Sequence, residues 1–445
     1  MARPSARWTE AHVRRLFWRA GFGASPKEAK RFAKRGKAAT LGWLLNGGGG
    51  PSMVGPAPTV DGHAIDPTNE WGHDVLWWLD RMVRSQRPLV EKMTLFWHDH
   101  FATRDQDRPL MLRQNKMFRG RGLGPFPALL KAVTTDPAMQ LFLSLADSDK
   151  DAPNENYARE LMELFTLGSG YTEQDIREAA RALTGFQSHW TRSGDFGGIT
   201  YSADNHDPGV KHIFKKRGRF DWHDVVSLVT SHPAHAPYMV EQLWDYFVTE
   251  PLDHRSRAKL VKTYRGSGLK IKPLVAAILA HPKLYASLNS PAMVKCPVVF
   301  VAGSLRATRQ YIDRDDWSWL LDSMGQYPFE PPSVAGWDWG PAWLSTNTVR
   351  ARFTAVNYLV RYGALNVEDK STPIGLSPDE HLARALQATG QPWISQSTHA
   401  ALKGMVPRLF QGVKTTNTNQ MQSRSDMAQR ALRHLLLSGP DAQLH

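Results

Sequence analysis

The chain has 445 residues, 55 Lys and Arg against 42 Asp and Glu, a formal net charge of +13 and one cysteine, Cys296. A lone cysteine excludes an intramolecular disulfide, and no apolar run approaches the roughly 18 residues that a membrane-spanning helix needs. At this length about three quarters of the extended-chain surface can be buried, so a large core needs no covalent staple.

The basic excess is concentrated near the start. Residues 1–50 hold eleven Lys and Arg against Glu10 and Glu28, and further basic runs lie at Arg104 to Arg121 and Lys211 to Arg219. Basic N-terminal helices of this kind permit binding to nucleic acid or another polyanion. Met1-Ala2-Arg3-Pro4-Ser5-Ala6-Arg7-Trp8 leads straight into a helical pattern with no apolar leader, so the chain as written reads as cytoplasmic.

In chain order, Thr9 can cap a helix with Val13, Leu16, Phe17 and Ala20 on one face, and Gly21 ends it. Ser25-Pro26-Lys27-Glu28 combines a capping box with a first-turn proline and starts a basic helix to about Arg35. Residues 47–58 are rich in glycine and proline and read as a loop. Helical periodicity follows at about 70–85, 88–102, 109–118, 126–133 and 136–146. Residues 154–168 form a central helix, and Thr172 caps the next one, which stops at Gly185. Residues 186–220 lose the helical signal. There Ile199-Thr200-Tyr201 and Lys211-His212-Ile213-Phe214 suit the strands of one small hairpin.

Helices resume at about 221–231, 234–248, 254–266, 271–281, 291–308 and 314–324. Tyr327 to Trp343 is too rich in proline, glycine and tryptophan for a helix and reads as an ordered loop. Further helices are expected from Ser345 to about Tyr362, then at 378–388, 397–411 and 424–438, with a polar, mobile loop at 412–423. No tandem repeat and no strand–helix alternation is present. The expectation is a mainly α protein, one large multi-helical domain over residues 1–445 with a small hairpin insertion near 186–220.

The densest polar stretch is the central helix, from Asn154 to Gly168. Tyr157, Leu161, Leu164 and Phe165 share an apolar stripe, while Glu155, Asn156, Arg159, Glu160 and Glu163 gather opposite. Glu155–Arg159 and Arg159–Glu163 are both spaced for ion pairs. Carboxylates crowded round one arginine raise one another's pKa, which is how a general acid is made near neutral pH. His98 and His100 close the preceding helix in Trp97-His98-Asp99-His100, and His206 opens the polar run His206-Asp207-Pro208-Gly209. Two histidines two apart on a helix point about 200° from each other, so they share a metal only if the helix has ended. With Glu160 they would make a nitrogen–oxygen site for a divalent metal.

Several of these stretches resemble a large bacterial family known only as domain of unknown function 1800. The likeness is carried by Leu16-Phe17-Trp18-Arg19-Ala20-Gly21-Phe22-Gly23, by Phe96-Trp97-His98-Asp99-His100-Phe101, and by Ala152 through Leu161 with Tyr171-Thr172-Glu173. It continues in Leu183-Thr184-Gly185-Phe186, in His206 through Lys211, in Pro331-Pro332-Ser333-Val334-Ala335-Gly336-Trp337 and in the closing helix with Leu435 through Pro440. The resemblance spans nearly the whole chain and implies no particular activity. Many relatives look secreted, and Phe186 stands where they often carry tryptophan.

The leading functional expectation is a hydrolase acting on a glycan-like or other polar substrate. Glu160, Glu163, His98 and His206 are its catalytic candidates. Asn154, Asn156, Arg159, Lys211, Trp337, Trp343 and Asn347 are candidates for holding substrate, since aromatic faces beside carboxylates suit sugar rings. His98, His100 and Glu160 are the candidate metal ligands. The alternatives are a non-catalytic polyanion-binding protein and a helical scaffold whose polar motifs are internal bridges. No G-x-S-x-G, Walker loop or dinucleotide-binding glycine motif is present.

Overall fold

The computed structural model describes residues 7–445, apart from 48–49, 362–364, 366–371 and 415. Among these residues are nineteen α-helices and three two-stranded antiparallel sheets, a mainly α protein. Backbone contacts divide the chain into two compact units, Met1–Leu89 with Pro282–Tyr327 and Asp338–His445, and Val90–His281 with Pro328–Trp337. Each unit is assembled from segments distant in sequence, so no linker composition marks a boundary.

In the first unit the opening helix Glu10–Arg19 packs on Pro26–Asn46. Phe17 lies 5.0 Å from Phe32 and 5.8 Å from Trp43 between ring centroids. The Ser25–Glu28 capping box forms, with the Ser25 N–H donating to Glu28 at 2.9 Å. The helix does not stop at Arg35. Gly36 breaks it at φ 80°, and helical geometry resumes to Asn46. The closing helices Pro378–Ala388, Gln396–Leu409 and Thr418–Ser438 share a core of Leu382, Ala385, Leu402, Val406, Leu432 and Leu436.

Asn417 accepts the Gln420 N–H and caps the last helix, so residues 418–423 are helical and not the loop that their polarity suggested. Tyr362, expected to end the helix that runs to Arg361, lies outside the described residues, as does residue 415. A small hairpin, Thr59–Val60 with His63–Ala64, also went unforeseen. Its turn is Asp61-Gly62, with φ 50° and 80°, a residue pair suited to a two-residue hairpin.

The second unit is built round stacked aromatics. Trp97, Phe101, Phe126 and Phe165 are all buried and lie within 5.2–6.3 Å of a neighbour in the group. The helix expected over 136–146 is Pro137–Phe142 followed by a short 3-10 turn, because Ser144 takes φ 53° and breaks it.

Residues 186–218 hold two hairpins rather than one. Phe186–Trp190 pairs with Phe196–Tyr201, and Lys211–Ile213 pairs with Lys216–Gly218. The expected strands 199–201 and 211–214 each pair with a nearer neighbour, since a short connection costs less entropy to close. Phe214 and Lys215 turn the second hairpin at φ 50° and 64°. That strained conformation is held by the Phe214 N–H bonded to Asp175 at 2.7 Å and by the Phe214 ring against His232.

Candidate functional site: saturated motifs and an open cavity

The central segment is not a uniform helix. Asn156–Glu160 is α-helical, and Leu161–Thr166 is a π-helical turn. Tyr157, Leu161, Met162 and Phe165 are fully buried, so the apolar side still faces the core. A π turn takes about one more residue per turn than an α-helix. The Leu167 N–H accordingly reaches back to the Met162 carbonyl at 3.1 Å.

Three successive carbonyls at the end of this turn are each met by a side chain. The Tyr238 hydroxyl donates to Leu164, His100 Nε2 to Phe165 at 3.0 Å and His235 Nδ1 to Thr166 at 3.1 Å. Orphaned helix-end carbonyls need such donors. Each imidazole therefore carries its proton on the nitrogen facing the carbonyl. His235 Nε2 is left to accept from the Tyr264 hydroxyl at 3.2 Å. Burial pushes both histidines down to about 4, which keeps them neutral.

His98 is committed elsewhere. It is buried, and its Nε2 accepts the Phe329 N–H at 2.9 Å. Burial pushes its pKa down to about 3. Asp99 accepts the Trp337 N–H at 2.9 Å. These two bonds fix the loop Pro328–Trp337, in which Phe329 sits at φ 73° and Gly336 at φ 79°. A Cβ on Gly336 would lie 2.4 Å from Asp99 Oδ1. Trp337 is buried with its ring 5.6 Å from that of His98, a packing position rather than a substrate wall.

The proposed metal ligands His98, His100 and Glu160 are therefore not a ligand set. Both imidazoles have their Nε2 engaged with backbone and point apart along the helix Pro88–His100. Among the described residues no group of three or more His, Cys, Asp and Glu side chains is arranged to hold a metal.

On the polar side of the central segment, Arg159 pairs with Glu155 at 3.1 Å and takes Glu173 with two bonds of 2.9 Å. The expected Arg159–Glu163 pair does not form, because the wider turn begins just after Glu160 and carries Glu163 out of the i,i+4 register. Glu163 is exposed and Glu160 half-buried. Neither carboxylate has a hydrogen bond or ion pair among the described residues. Burial, and then the charge of Glu163, raise the Glu160 carboxyl above its ordinary value. Asn154 accepts the Asn156 N–H at 2.9 Å, a turn that opens the helix, and Asn156 is exposed.

The His206–Lys211 run closes on itself. His206 Nδ1 lies 3.0 Å from the Thr184 carbonyl, and the Asp207 N–H donates to the Thr184 hydroxyl at 2.9 Å. Asp207 also accepts from Arg181 at 2.7 Å. Lys211 is fully buried and donates to the carbonyls of Asp207 and Gly209, so it is held inside the loop and not offered to a ligand. In the first unit Trp343 is buried, and Asn347 is exposed on the helix Thr346–Arg361.

The structure thus joins the distinctive stretches in pairs: Trp97–His100 with Pro328–Trp337, Asn154–Leu161 with Glu173, and Thr184 with His206–Asp207. Most of their polar atoms are spent on backbone.

A cavity of about 500 Å³ lies in the second unit at the first of the two hairpins. Its walls include Phe186, Tyr201 and Trp222, with Arg113, Asp221 and His223 among the polar lining. Phe186 meets Tyr201 edge-on at 5.3 Å, and Trp222 lies 5.9 Å from Phe186 and stacks on His223 at 3.5 Å. Asp221 caps the helix Trp222–Ser231, and its second oxygen lies 3.6 Å from His223 Nδ1. The Arg113 guanidinium and the Tyr201 hydroxyl have no hydrogen bond or ion pair among the described residues. Phe186 was noted in the sequence for its aromatic character alone. The overlooked signal was Asp221-Trp222-His223-Asp224, a capping box that also carries a ring and an acid–base pair.

A large helical protein with paired polar motifs is the class that these features define. The chain belongs to the family described as proteins of unknown function, DUF1800, whose model matches residues 15–444. Neither a curated protein nor a solved structure matches it. No helix among the described residues is long and apolar enough to cross a membrane.

Proposed function

We propose that the second unit binds a sugar-like, ring-bearing polar molecule in the cavity beside Phe186, Tyr201 and Trp222, and hydrolyses it there. One observation carries the proposal: this cavity sets aromatic faces beside an Arg113 guanidinium and a Tyr201 hydroxyl that have no hydrogen bond or ion pair among the described residues, whereas His98, His100 and Lys211 of the family-like stretches are bonded to backbone. Aromatic rings bind the apolar faces of sugars, and unengaged donors take their hydroxyls. Asp221 and His223 are the acid–base pair that the cavity supplies; Glu160 and Glu163 do not line it.

The test is calorimetric titration with a panel of disaccharides and N-acetylated sugars, beside release of nitrophenol from nitrophenyl glycosides. Trp222→Ala and Arg113→Ala are expected to weaken binding by about tenfold, an order typical of losing one stacking or charged contact. His223→Gln abolishes release while Glu160→Gln leaves it intact. Release lost in Glu160→Gln and kept in His223→Gln would return the chemistry to the central helix.

Polyanion binding is a second reading, favoured by one observation. Lys27, Lys30, Arg31, Lys34 and Arg35 are exposed and spaced to share one face of the second helix. Arg15 and Arg19 of the first helix are buried and take no part. Retention of nucleic acid at low salt, lost in Lys30→Glu with Lys34→Glu, is the expected result. Equal retention by that variant removes the reading.

A further inference from the structure

The first unit contains a second cavity, of about 270 Å³, lined in part by Trp18 and Leu437 of the family-like stretches. Its lining is mixed. Trp18, Pro392, Trp393 and Leu437 present apolar surface, while Arg14, Arg15 and Lys295 present cations. Asp441 is the acidic residue of the lining, and one of its oxygens already accepts the Ser395 N–H at 2.6 Å.

Lys295 is the informative group. It is buried, its Nζ donates to the Ala442 carbonyl at 2.6 Å, and it sits 4.1 Å from the centre of the Trp18 ring. No carboxylate lies within ion-pair distance of it among the described residues. Behind it Arg352, fully buried, donates to the Lys295 carbonyl at 2.8 Å and to Gln443 at 2.9 Å, again without a carboxylate in reach. Arg14, at the rim, donates to the Gly390 carbonyl and the Gln391 side chain, with Glu10 at 3.7 Å.

A buried ammonium that faces carbonyl dipoles and an aromatic ring is disfavoured against its hydrated state unless an anion offsets it. Burial, with the nearby Arg352 charge, lowers the Lys295 amine to about 7, the response expected of a cation that lacks its counter-charge. The cavity that Lys295 lines has room for that charge. Trp18, Trp393 and Leu437 supply indole and hydrocarbon beside these polar groups, which suits an anion that carries an apolar body.

We propose that this cavity binds a carboxylate on an apolar body, its head group between Lys295 and the arginines of the first helix and its body against Trp18, Trp393 and Leu437. The site is separate from the aromatic cavity of the second unit and does not depend on what that cavity does.

The experiment is titration of the full chain at low salt with octanoate, and with octanol as the neutral match, read by calorimetry and thermal shift. Octanoate is expected to bind at least about tenfold more tightly than octanol, as a charge-assisted contact gives. Lys295→Met, which keeps the volume and removes the charge, and Arg14→Gln, at the solvent-facing rim, are each expected to erase that preference while leaving octanol binding unchanged. Arg14→Gln serves if Lys295→Met does not fold. Equal affinity for octanoate and octanol, no binding of either, or an undiminished preference in both variants overturns the proposal.

Discussion

Two regions of the second unit treat their polar side chains in opposite ways. At the end of the central segment, His100, His235 and Tyr238 each meet one backbone carbonyl, and His98 and Asp99 each hold one N–H of the Pro328–Trp337 loop. At the aromatic cavity, Arg113 and Tyr201 have no such partner among the described residues, and His223 meets the Asp221 carboxylate and the Trp222 ring. The difference separates residues that build the frame from residues free to meet a ligand. A distinctive polar residue is a site candidate only after its internal hydrogen bonds have been counted.

The sharpest way to break this contrast is at the saturated region. Gly336→Ala places a methyl group 2.4 Å from Asp99 Oδ1 at a residue with φ 79°. It is expected to cost about 3 kcal/mol, from left-handed strain together with the lost loop contact. Urea unfolding checks it, and an unchanged midpoint would show that the loop is not pinned there.

Acid is the next lever. His98, His100 and His235 sit at about 3, 4 and 4, against an ordinary 6.5. Their folded values are depressed, so the unfolded chain takes up protons first as pH falls. The stability is fully present above 6.5 and is lost between 6.5 and about 3. The slope there approaches about 1.4 kcal/mol per pH unit for each histidine. Denaturation midpoints across that range are expected to fall steeply, and His100→Gln to reduce the slope by about one third. A flat profile would mean that these rings are hydrated and charged.

Much of the frame was legible before any coordinates. The capping box at Ser25, the helix start at Thr172 and the glycine stop at Gly168 mark local chemistry, which short-range rules capture. The roles of His98, His100 and His235 were not legible, because each depends on a carbonyl or N–H brought in from at least 65 positions away, such as Phe165 to His100. The π turn was equally hidden. Its residues carry ordinary helical periodicity, and the side chains that meet its carbonyls come from distant helices. Glu160 and Glu163 stood out in the sequence for charge density, which identifies a polar face and does not separate a pocket from a surface.

The smallest effect is expected at Glu160. Glu160→Gln removes a half-buried carboxyl without a bonded partner and is expected to change stability by under about 0.5 kcal/mol, with ligand binding unchanged. A large loss of stability would place Glu160 among the frame residues instead.

The most direct test of the central claim is calorimetric titration of sugar-like ligands into the wild-type chain and the Trp222→Ala variant at neutral pH. The account predicts saturable binding to the wild-type chain and about a tenfold weaker constant in the variant, with the fold intact by circular dichroism. Binding that is indifferent to Trp222, or no sugar bound at all, would contradict it.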